Sequence, residues 1–389
     1  MMTHSDTELL KSDELRTAVE QNIGRNPLDI ALDSHLPHAR LVADQVKALQ
    51  RAARKLPTYF AARALMTARA YEQSSSEACA SRRALEGDSL LDLTFGLGVD
   101  SVMLSRKFRR VVALERDAAL AAVARENLRR MHIDNIEVVC TSAEEYLATT
   151  DEQFEWCMAD PDRRDEQGSR KVLLEECSPN VVALRDTIAA HARKLCIKCS
   201  PLFDVGEAER LFGDCFVESV SVGGECKEVN IYIGDDRSGI AAEVCGEQPV
   251  ACSRQEWHEQ TFSPLPQSFD EIAKHRYMTL PDAALQHSRL VAQLRKEGAE
   301  VWSNEGVALS AEPLTRGVGR CAEIVKICEF SPRQLKSELK GERLNIYRRA
   351  FPMSNQEIVR RLSVREGGNR NWCFTKIGDF YVAAELRFL

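Results

Sequence analysis

An α/β fold is what this sequence predicts, with a parallel sheet covered on both faces and finished by an antiparallel hairpin. Three observations carry that expectation. Between Asp88 and Phe212 short apolar runs alternate with amphipathic segments, the pattern of strands joined by crossover helices. The first run, Leu90, Leu91 and Leu93 around Asp92, passes at once into Gly96-Leu97-Gly98 and then an amphipathic stretch from Val99. Strand, glycine turn and helix together bring backbone N–H groups and a positive helix end to a nucleotide-like ligand. Last, Val217 to Ser221 and Val229 to Ile233 flank Gly223-Gly224, a hairpin signature.

Residues 1–85 read as an N-terminal helical region. Within it Leu41, Val42, Val46, Leu49 and Ala53 fall at helical spacing in a basic segment that stops at Pro57, and a further helix covers 60–71. Ser74-x-x-Glu77 fits a helix cap; the alternative is that Gln73 and Ser74 reach over a ligand on the glycine turn. Residues 86–235 hold strands at 89–93, 110–114, 136–140, 154–159 and 194–199, and helices at about 99–107, 117–131, 143–149, 172–193 and 205–212. Gly, Pro and Ser cluster without a period over 236–275, which reads as a linker. Residues 276–328, with a helix over 282–298 and strands at 301–303 and 321–330, form a small ferredoxin-like α/β unit. Residues 329–389 form a last compact α/β part, with helix starts at Ser331 and Ser354, a strand over 344–351 and a hairpin turning at Gly378-Asp379.

The chain has 389 residues, 44% hydrophobic and 29% charged, a globular composition with no run long enough for a membrane span. The first residues are acidic and polar, unlike a secretory signal. Thirteen irregularly spaced cysteines argue for a reducing cytoplasm rather than a disulfide framework. Cys196 and Cys199 lie three apart on an expected strand and so face opposite ways, which excludes one shared metal ion; no metal is expected. The net charge of −7 is unevenly placed. Segments 40–83 and 331–389 each carry +6, and the remaining 286 residues carry −19. Basic flanks around an acidic block suit a polyanion, and suit a solvated surface equally well.

The chemistry gathers at strand ends. Glu115, seventeen residues past Gly98, ends the second strand, where a carboxylate can bind both hydroxyls of a ribose. A dinucleotide fingerprint wants a third glycine where Ser101 stands. Asp92-x-Thr94-x-Gly96-x-Gly98 instead resembles the cofactor loop of class I S-adenosylmethionine-dependent methyltransferases, with Thr94 for their first glycine, and acidic surroundings suit a sulfonium. S-adenosyl-L-methionine is thus the expected cofactor, at Asp92, Thr94, Gly96, Gly98, Asp100, Glu115 and Arg116. Ser142 or Glu144, after the third strand, takes the place near the adenine. The fourth strand ends in Asp160-Pro161-Asp162-Arg163-Arg164, beside the expected position of the methyl group. Asp160 can orient or deprotonate an acceptor, and Arg163 and Arg164 can hold a phosphate or carboxylate; a plain strand-end turn is the alternative. Amino-methylating enzymes carry a second proline and an aromatic where Asp162 and Arg163 stand, which speaks against methylation of an exocyclic amine.

The succession EQSSSE, DLTFGLGVD, ADPDRR, KCSPLFD and GGECKE, followed by FSPRQLK and a GG-containing tail, resembles bacterial class I methyltransferases with a C-terminal THUMP-like domain, over about residues 50–389. The resemblance implies a Rossmann-like methyltransferase sheet and an RNA substrate, ribosomal or transfer RNA, bound through the basic segments 40–83 and 331–389. It places Lys198, Ser200, Pro201 and Asp204, with Glu225, Cys226, Lys227 and Glu228, on the catalytic face. Two other readings stay open: an RNA-docking module on the same fold, and methylation of a protein or small metabolite. The sequence leaves the oligomeric state open.

Overall fold

The structure, a computed structural model, describes residues 4–163, 173–314 and 317–389. It divides into two compact units, residues 1–203 with 231–236 and residues 204–230 with 237–389.

The first unit opens with helices α1 (His4–Lys11), α2 (Asp13–Asn22), α3 (Pro27–Ala31) and α4 (Ala39–Lys55). On α4 the stripe Val42, Val46, Leu49 and Ala52 is buried, as the spacing requires. Pro57 cannot continue α4 and becomes the first residue of α5 (Pro57–Ala61). The helix expected over 60–71 is broken. Arg63 takes a left-handed φ of 52°, and Thr67 accepts a hydrogen bond from the Ala70 N–H to start α6 (Ala68–Gln73) anew. The cap expected at Ser74 belongs to Ser76, whose side chain accepts from the Cys79 N–H at the start of α7 (Glu77–Arg82). Glu77 is no capping partner: its carboxylate accepts from the Thr58 N–H (2.8 Å) and hydroxyl (2.7 Å).

The strands are β1 (Gly87–Asp92), β2 (Phe108–Leu114), β3 (Ile136–Val139), β4 (Phe154–Ala159) and β5 (Ala192–Cys199), and between them lie α8 (Val99–Leu104), α9 (Ala118–Arg130), α10 (Ala143–Thr149) and α11 (Arg185–His191). Their order is β3-β2-β1-β4-β5, all parallel, and Ile231–Ile233 lie beyond β5. Helices cover both faces, so Leu90, Leu91, Val111, Ala113, Cys157 and Ala159 are wholly buried. Each such leucine or valine contributes about 1.5–3 kcal/mol. The chain winds outward from β1 to β3, then resumes at β4 on the other side of β1. The carboxyl ends of β1 and β4 therefore border the crevice where such sheets bind ligands. The single helix expected over 172–193 is replaced, over the described residues, by a 3₁₀ turn at Leu174–Glu176 and by α11. Pro179, lacking an N–H, has no place in a helix interior.

The second unit begins with α12 (Glu207–Phe212), β6 (Phe216–Val222) and β7 (Glu225–Ile233), whose turn Gly223-Gly224 has φ of 63° and 81°, the left-handed pair a two-residue hairpin needs. The stretch 236–275, expected as a linker, carries β8 (Gly239–Val244), β9 (Val250–Cys252), α13 (Arg254–Glu259) and α14 (Phe269–Ala273). Strand β8 runs parallel to β6 and antiparallel to β9. Its apolar run is only Ile240-Ala241-Ala242, too short to stand out among the Gly and Pro punctuation.

Then follow β10 (Tyr277–Pro281), α15 (Ala283–His287), β11 (Glu300–Val301), β12 (Ala308–Ser310), β13 (Gly319–Glu329), α16 (Pro332–Leu339), β14 (Arg343–Arg349), α17 (Asn355–Leu362), β15 (Arg365–Glu366), β16 (Arg370–Ile377) and β17 (Phe380–Phe388). The helix expected over 282–298 is split, because Arg289 at φ 59° separates α15 from a 3₁₀ segment. All eight strands form one sheet, β11-β12-β10-β13-β17-β16-β14-β15. The two α/β parts expected on either side of residue 328 thus share a sheet, since β13 pairs with both β10 and β17. Alternation along β16 sends Cys373 into one core with Met278 and Leu309, and Trp372 and Phe374 into another with Leu335 and Ile358. The capping box at Ser354 and Glu357 forms as expected, whereas the Ser331 side chain makes no cap bond.

Candidate functional site

Strand β1 ends in Asp92, which is only 2% exposed. Its carboxylate accepts from the Ser101 hydroxyl (2.5 Å) and the Thr94 N–H (2.9 Å). Burial nevertheless pushes its pKa up to about 6. Asp92 therefore braces the glycine turn from beneath. The Thr94 hydroxyl accepts from the Asp160 N–H (2.7 Å) and ties the turn to the end of β4. Gly96, at φ 57°, donates its N–H to Glu115 Oε2 (2.9 Å), and a Cβ there would meet only the Thr94 carbonyl oxygen, at 4.0 Å. Gly98, at φ 85°, leads into α8; a Cβ there would overlap the Phe95 ring, so only glycine fits. Glu115 Oε1 accepts from the Asp117 N–H (2.8 Å). Burial raises the Glu115 pKa, and the two N–H bonds oppose that rise. Each oxygen keeps a lone pair for a further donor. Arg116 donates to the Ser178 hydroxyl (3.2 Å).

A chain of charges lies beside the turn. Asp100, in the first turn of α8, pairs with the fully buried Arg83 at 2.5 Å, accepts from the Ser75 hydroxyl (2.8 Å) and stands 3.7 Å from Lys198 Nζ. Burial alone would raise the Asp100 pKa, but Arg83 and Lys198 outweigh it and hold the carboxyl well below the usual range. Lys198, near the end of β5, also donates to the Asp160 carboxylate. Burial raises the Asp160 pKa, and the Lys198 ammonium opposes that rise. Lys55 on α4 donates to the Tyr71 carbonyl (2.8 Å), and burial, then Lys198 and Arg51, push its pKa down to about 8. Tyr59 on α5 donates to the Leu97 carbonyl (3.0 Å). Sequence reasoning missed Arg83, Tyr59, Lys55 and Ser75. Ser75 lies in the EQSSSE segment, one residue past Ser74; the others carry no signal beyond the basic block.

At the ends of β4 and β5 lies a narrow cleft open to solvent, with a volume of about 20 Å³, room for little more than water. Among the described residues its charged lining is Arg163 and Lys198, and its apolar walls are Pro161, Leu174, Leu202 and Phe203. Cys177, Cys199 and Ser200 complete it.

The structure thus brings Asp92, Thr94, Gly96, Gly98, Asp100, Glu115, Asp160, Pro161, Arg163, Lys198 and Ser200 to the strand ends of one unit. Ser142 caps α10, accepting from the Glu145 N–H, and Glu144 is exposed on that helix. Asp204, Glu225 and Lys227 belong to the second unit, where Asp204 pairs with Arg289 (2.7 Å) and Glu225 with Lys227. Arg164 lies outside the described residues. Among the described residues no group of three or more His, Cys, Asp or Glu could hold a metal ion, no disulfide forms, and no helix is long and apolar enough to cross a membrane.

Residues 68–166 match the family tRNA (uracil-5-)-methyltransferase, and residues 319–384 match the family THUMP domain-like. A tRNA/tmRNA (uracil-C(5))-methyltransferase of Neisseria meningitidis is 29% identical over 152 residues, covering 33% of this chain and 41% of that protein. Ribosomal RNA small subunit methyltransferase J of Francisella tularensis is 31% identical over 96 residues, 21% of this chain and 40% of that one. The chain spans about two fifths of the length of these curated relatives. A crystal structure of a candidate methyltransferase from Porphyromonas gingivalis W83 superposes with a TM-score of 0.82 at 21% identity, covering 96% of this chain and 97% of that one. The chain therefore has the Rossmann-like methyltransferase fold, with a methyltransferase-family sequence over residues 68–166 and a THUMP-like domain over residues 319–384.

Proposed function

We propose that the protein is an S-adenosylmethionine-dependent methyltransferase acting on ribosomal or transfer RNA in the cytoplasm. The observation that carries this reading is the open backbone at Gly96 beside the Glu115 carboxylate, with the Asp160–Lys198 pair across the crevice. The RNA-methyltransferase relatives support the substrate class.

The residues present fit the cofactor. A Gly96 Cβ would meet only the Thr94 carbonyl oxygen, at 4.0 Å, Glu115 has lone pairs left for ribose hydroxyls, and the Asp100 and Asp160 carboxylates balance Arg83 and Lys198, so that no net positive charge of this cluster opposes a sulfonium. When bound, the cofactor supplies an electrophilic methyl carbon. Asp160 orients the acceptor for in-line attack and takes up its proton where it has one, and Lys198 fixes the Asp160 carboxylate. The basic segments 40–83 and 331–389 hold RNA phosphates.

Incubating the protein with tritiated S-adenosylmethionine and fractionated lysate tests this. Label is expected in RNA, and label only in protein or metabolites, or none, rejects the reading. Asp160→Ala is expected to slow transfer about 10²–10⁴-fold with cofactor affinity by calorimetry retained.

A methyl group destined for carbon-5 of a uracil, the reaction named for one relative, needs a nucleophile at carbon-6 as well. Cys199, the last residue of β5, lines the cleft, but burial, then the charges of Asp160 and Cys177, push its thiol well above the usual range. Cys199→Ser decides between the chemistries: transfer abolished with cofactor binding intact assigns carbon, and transfer retained assigns a nitrogen or oxygen acceptor.

A further inference from the structure

The glycine turn is held from two sides, and one of them lies outside the parallel sheet. Phe95 to Gly98 form a four-residue turn, closed by the Gly98 N–H on the Phe95 carbonyl (2.8 Å). The sheet holds its first half: the Phe95 N–H donates to the Leu114 carbonyl at the end of β2 (2.9 Å), and the Gly96 N–H donates to Glu115. The second half is held from α5, where the wholly buried Tyr59 donates its hydroxyl to the Leu97 carbonyl (3.0 Å). Burial, then the Glu77 and Asp100 carboxylates, push the Tyr59 hydroxyl well above its usual range, so it remains a donor at neutral pH.

Tyr59 is itself fixed by Glu77, a buried residue of α7. The Glu77 carboxylate accepts from the Thr58 N–H and hydroxyl and, at 3.4 Å, from the Tyr59 N–H. It thus meets the N–H groups at the start of α5, where a negative charge is favoured. The path Glu77, α5, Tyr59, Leu97 reaches the turn without passing through a strand. Gly98 begins α8, so a displaced Leu97 peptide would carry Gly96 and the first turn of α8 with it.

We infer that Tyr59 is a positioning residue for S-adenosylmethionine: its hydroxyl holds the peptide between Gly96 and Gly98 in the conformation that receives the cofactor, and Glu77 holds Tyr59. The helical segment before β1 is then part of the methyl-donor site as well as a basic surface. The inference rests on the reading of the protein as an S-adenosylmethionine-dependent enzyme, and adds a residue that acts through the turn.

The test uses the full chain and S-adenosylhomocysteine, so that binding is read without transfer. Tyr59→Phe removes one oxygen and keeps the buried ring. It is expected to weaken binding by calorimetry about five- to tenfold, the effect of losing one buried hydrogen bond. With total RNA as acceptor, KM for S-adenosylmethionine rises and kcat at saturating cofactor stays near that of the wild type. In the free protein, amide hydrogen exchange read by mass spectrometry quickens over residues 95–102 and is unchanged over residues 108–139. Leu49→Ala, at a buried position of α4, controls for general loss of stability: it lowers the urea midpoint and leaves the affinity unchanged. Glu77→Gln keeps the shape of the brace, weakens binding in the same direction by a smaller factor, and serves if Tyr59→Phe does not fold. Wild-type affinity in Tyr59→Phe, or an equal loss in Leu49→Ala, overturns the inference and leaves the methyltransferase reading intact. If the wild-type chain binds no S-adenosylhomocysteine, that reading falls, and the inference with it.

Discussion

Gly96→Arg is expected to lower the affinity for S-adenosylmethionine at least about a hundredfold by titration calorimetry, with the far-ultraviolet spectrum of the wild type. Two effects combine. A Gly96 Cβ would touch only the Thr94 carbonyl oxygen, at 4.0 Å, so the new side chain enters the volume assigned to the cofactor rather than the protein core. It also brings a positive charge toward a sulfonium in a partly desolvated crevice, where repulsion is stronger than in water. The φ of 57° adds about 1–2 kcal/mol of strain for any side chain. Gly96→Ala carries that strain with little bulk and separates it from occlusion. Glu115→Ala is the partner variant. It removes the acceptors proposed for the ribose and leaves the N–H groups of Gly96 and Asp117 without their carboxylate, a loss of about 1.5–3 kcal/mol in binding, or roughly tenfold or more. Unchanged affinity in both Gly96→Arg and Glu115→Ala would mean that the cofactor binds elsewhere or not at all.

What was legible in the sequence follows the range over which each feature is determined. The parallel strands were readable because burial on both faces demands near-continuous apolar runs, as in Val111 to Leu114. The glycine turn was readable because Gly96 and Gly98 both need left-handed backbone within three residues. Long-range facts were not readable. Nothing local in Arg83 says that it meets Asp100, seventeen residues away, or that Lys198 joins them from β5. The single sheet across residues 277–388 was hidden for the same reason, since β13 pairs with β17 some sixty residues later and that pairing leaves no periodic trace. Helix breaks at Arg63 and Arg289 were missed because arginine rarely takes positive φ, and its identity gives no warning.

Arg83→Met is expected to be the most destabilising single change near the site, costing about 3–5 kcal/mol in urea unfolding at pH 7. Arg83 is wholly buried and Asp100 only 14% exposed, so removing the guanidinium leaves a buried carboxylate with Ser75 and a more distant Lys198. Asp100 has a folded pKa below the unfolded value near 3.9, so its pairing contributes stability that is present above the unfolded value and lost as pH falls through the folded one. The deficit of Arg83→Met should therefore be full above about pH 5 and shrink on acidification below about pH 4. Asp92 has the opposite sign: its folded pKa of about 6 gives stability that is present below the unfolded value and lost as pH rises toward 6. Asp92→Asn should remove that slope without touching the acid limb. A deficit in Arg83→Met that does not vary with pH would assign the loss to packing of the arginine stem. Recovery of stability in the double variant Arg83→Met/Asp100→Leu, relative to Arg83→Met, would show that the stranded charge, rather than the missing contacts, sets the cost.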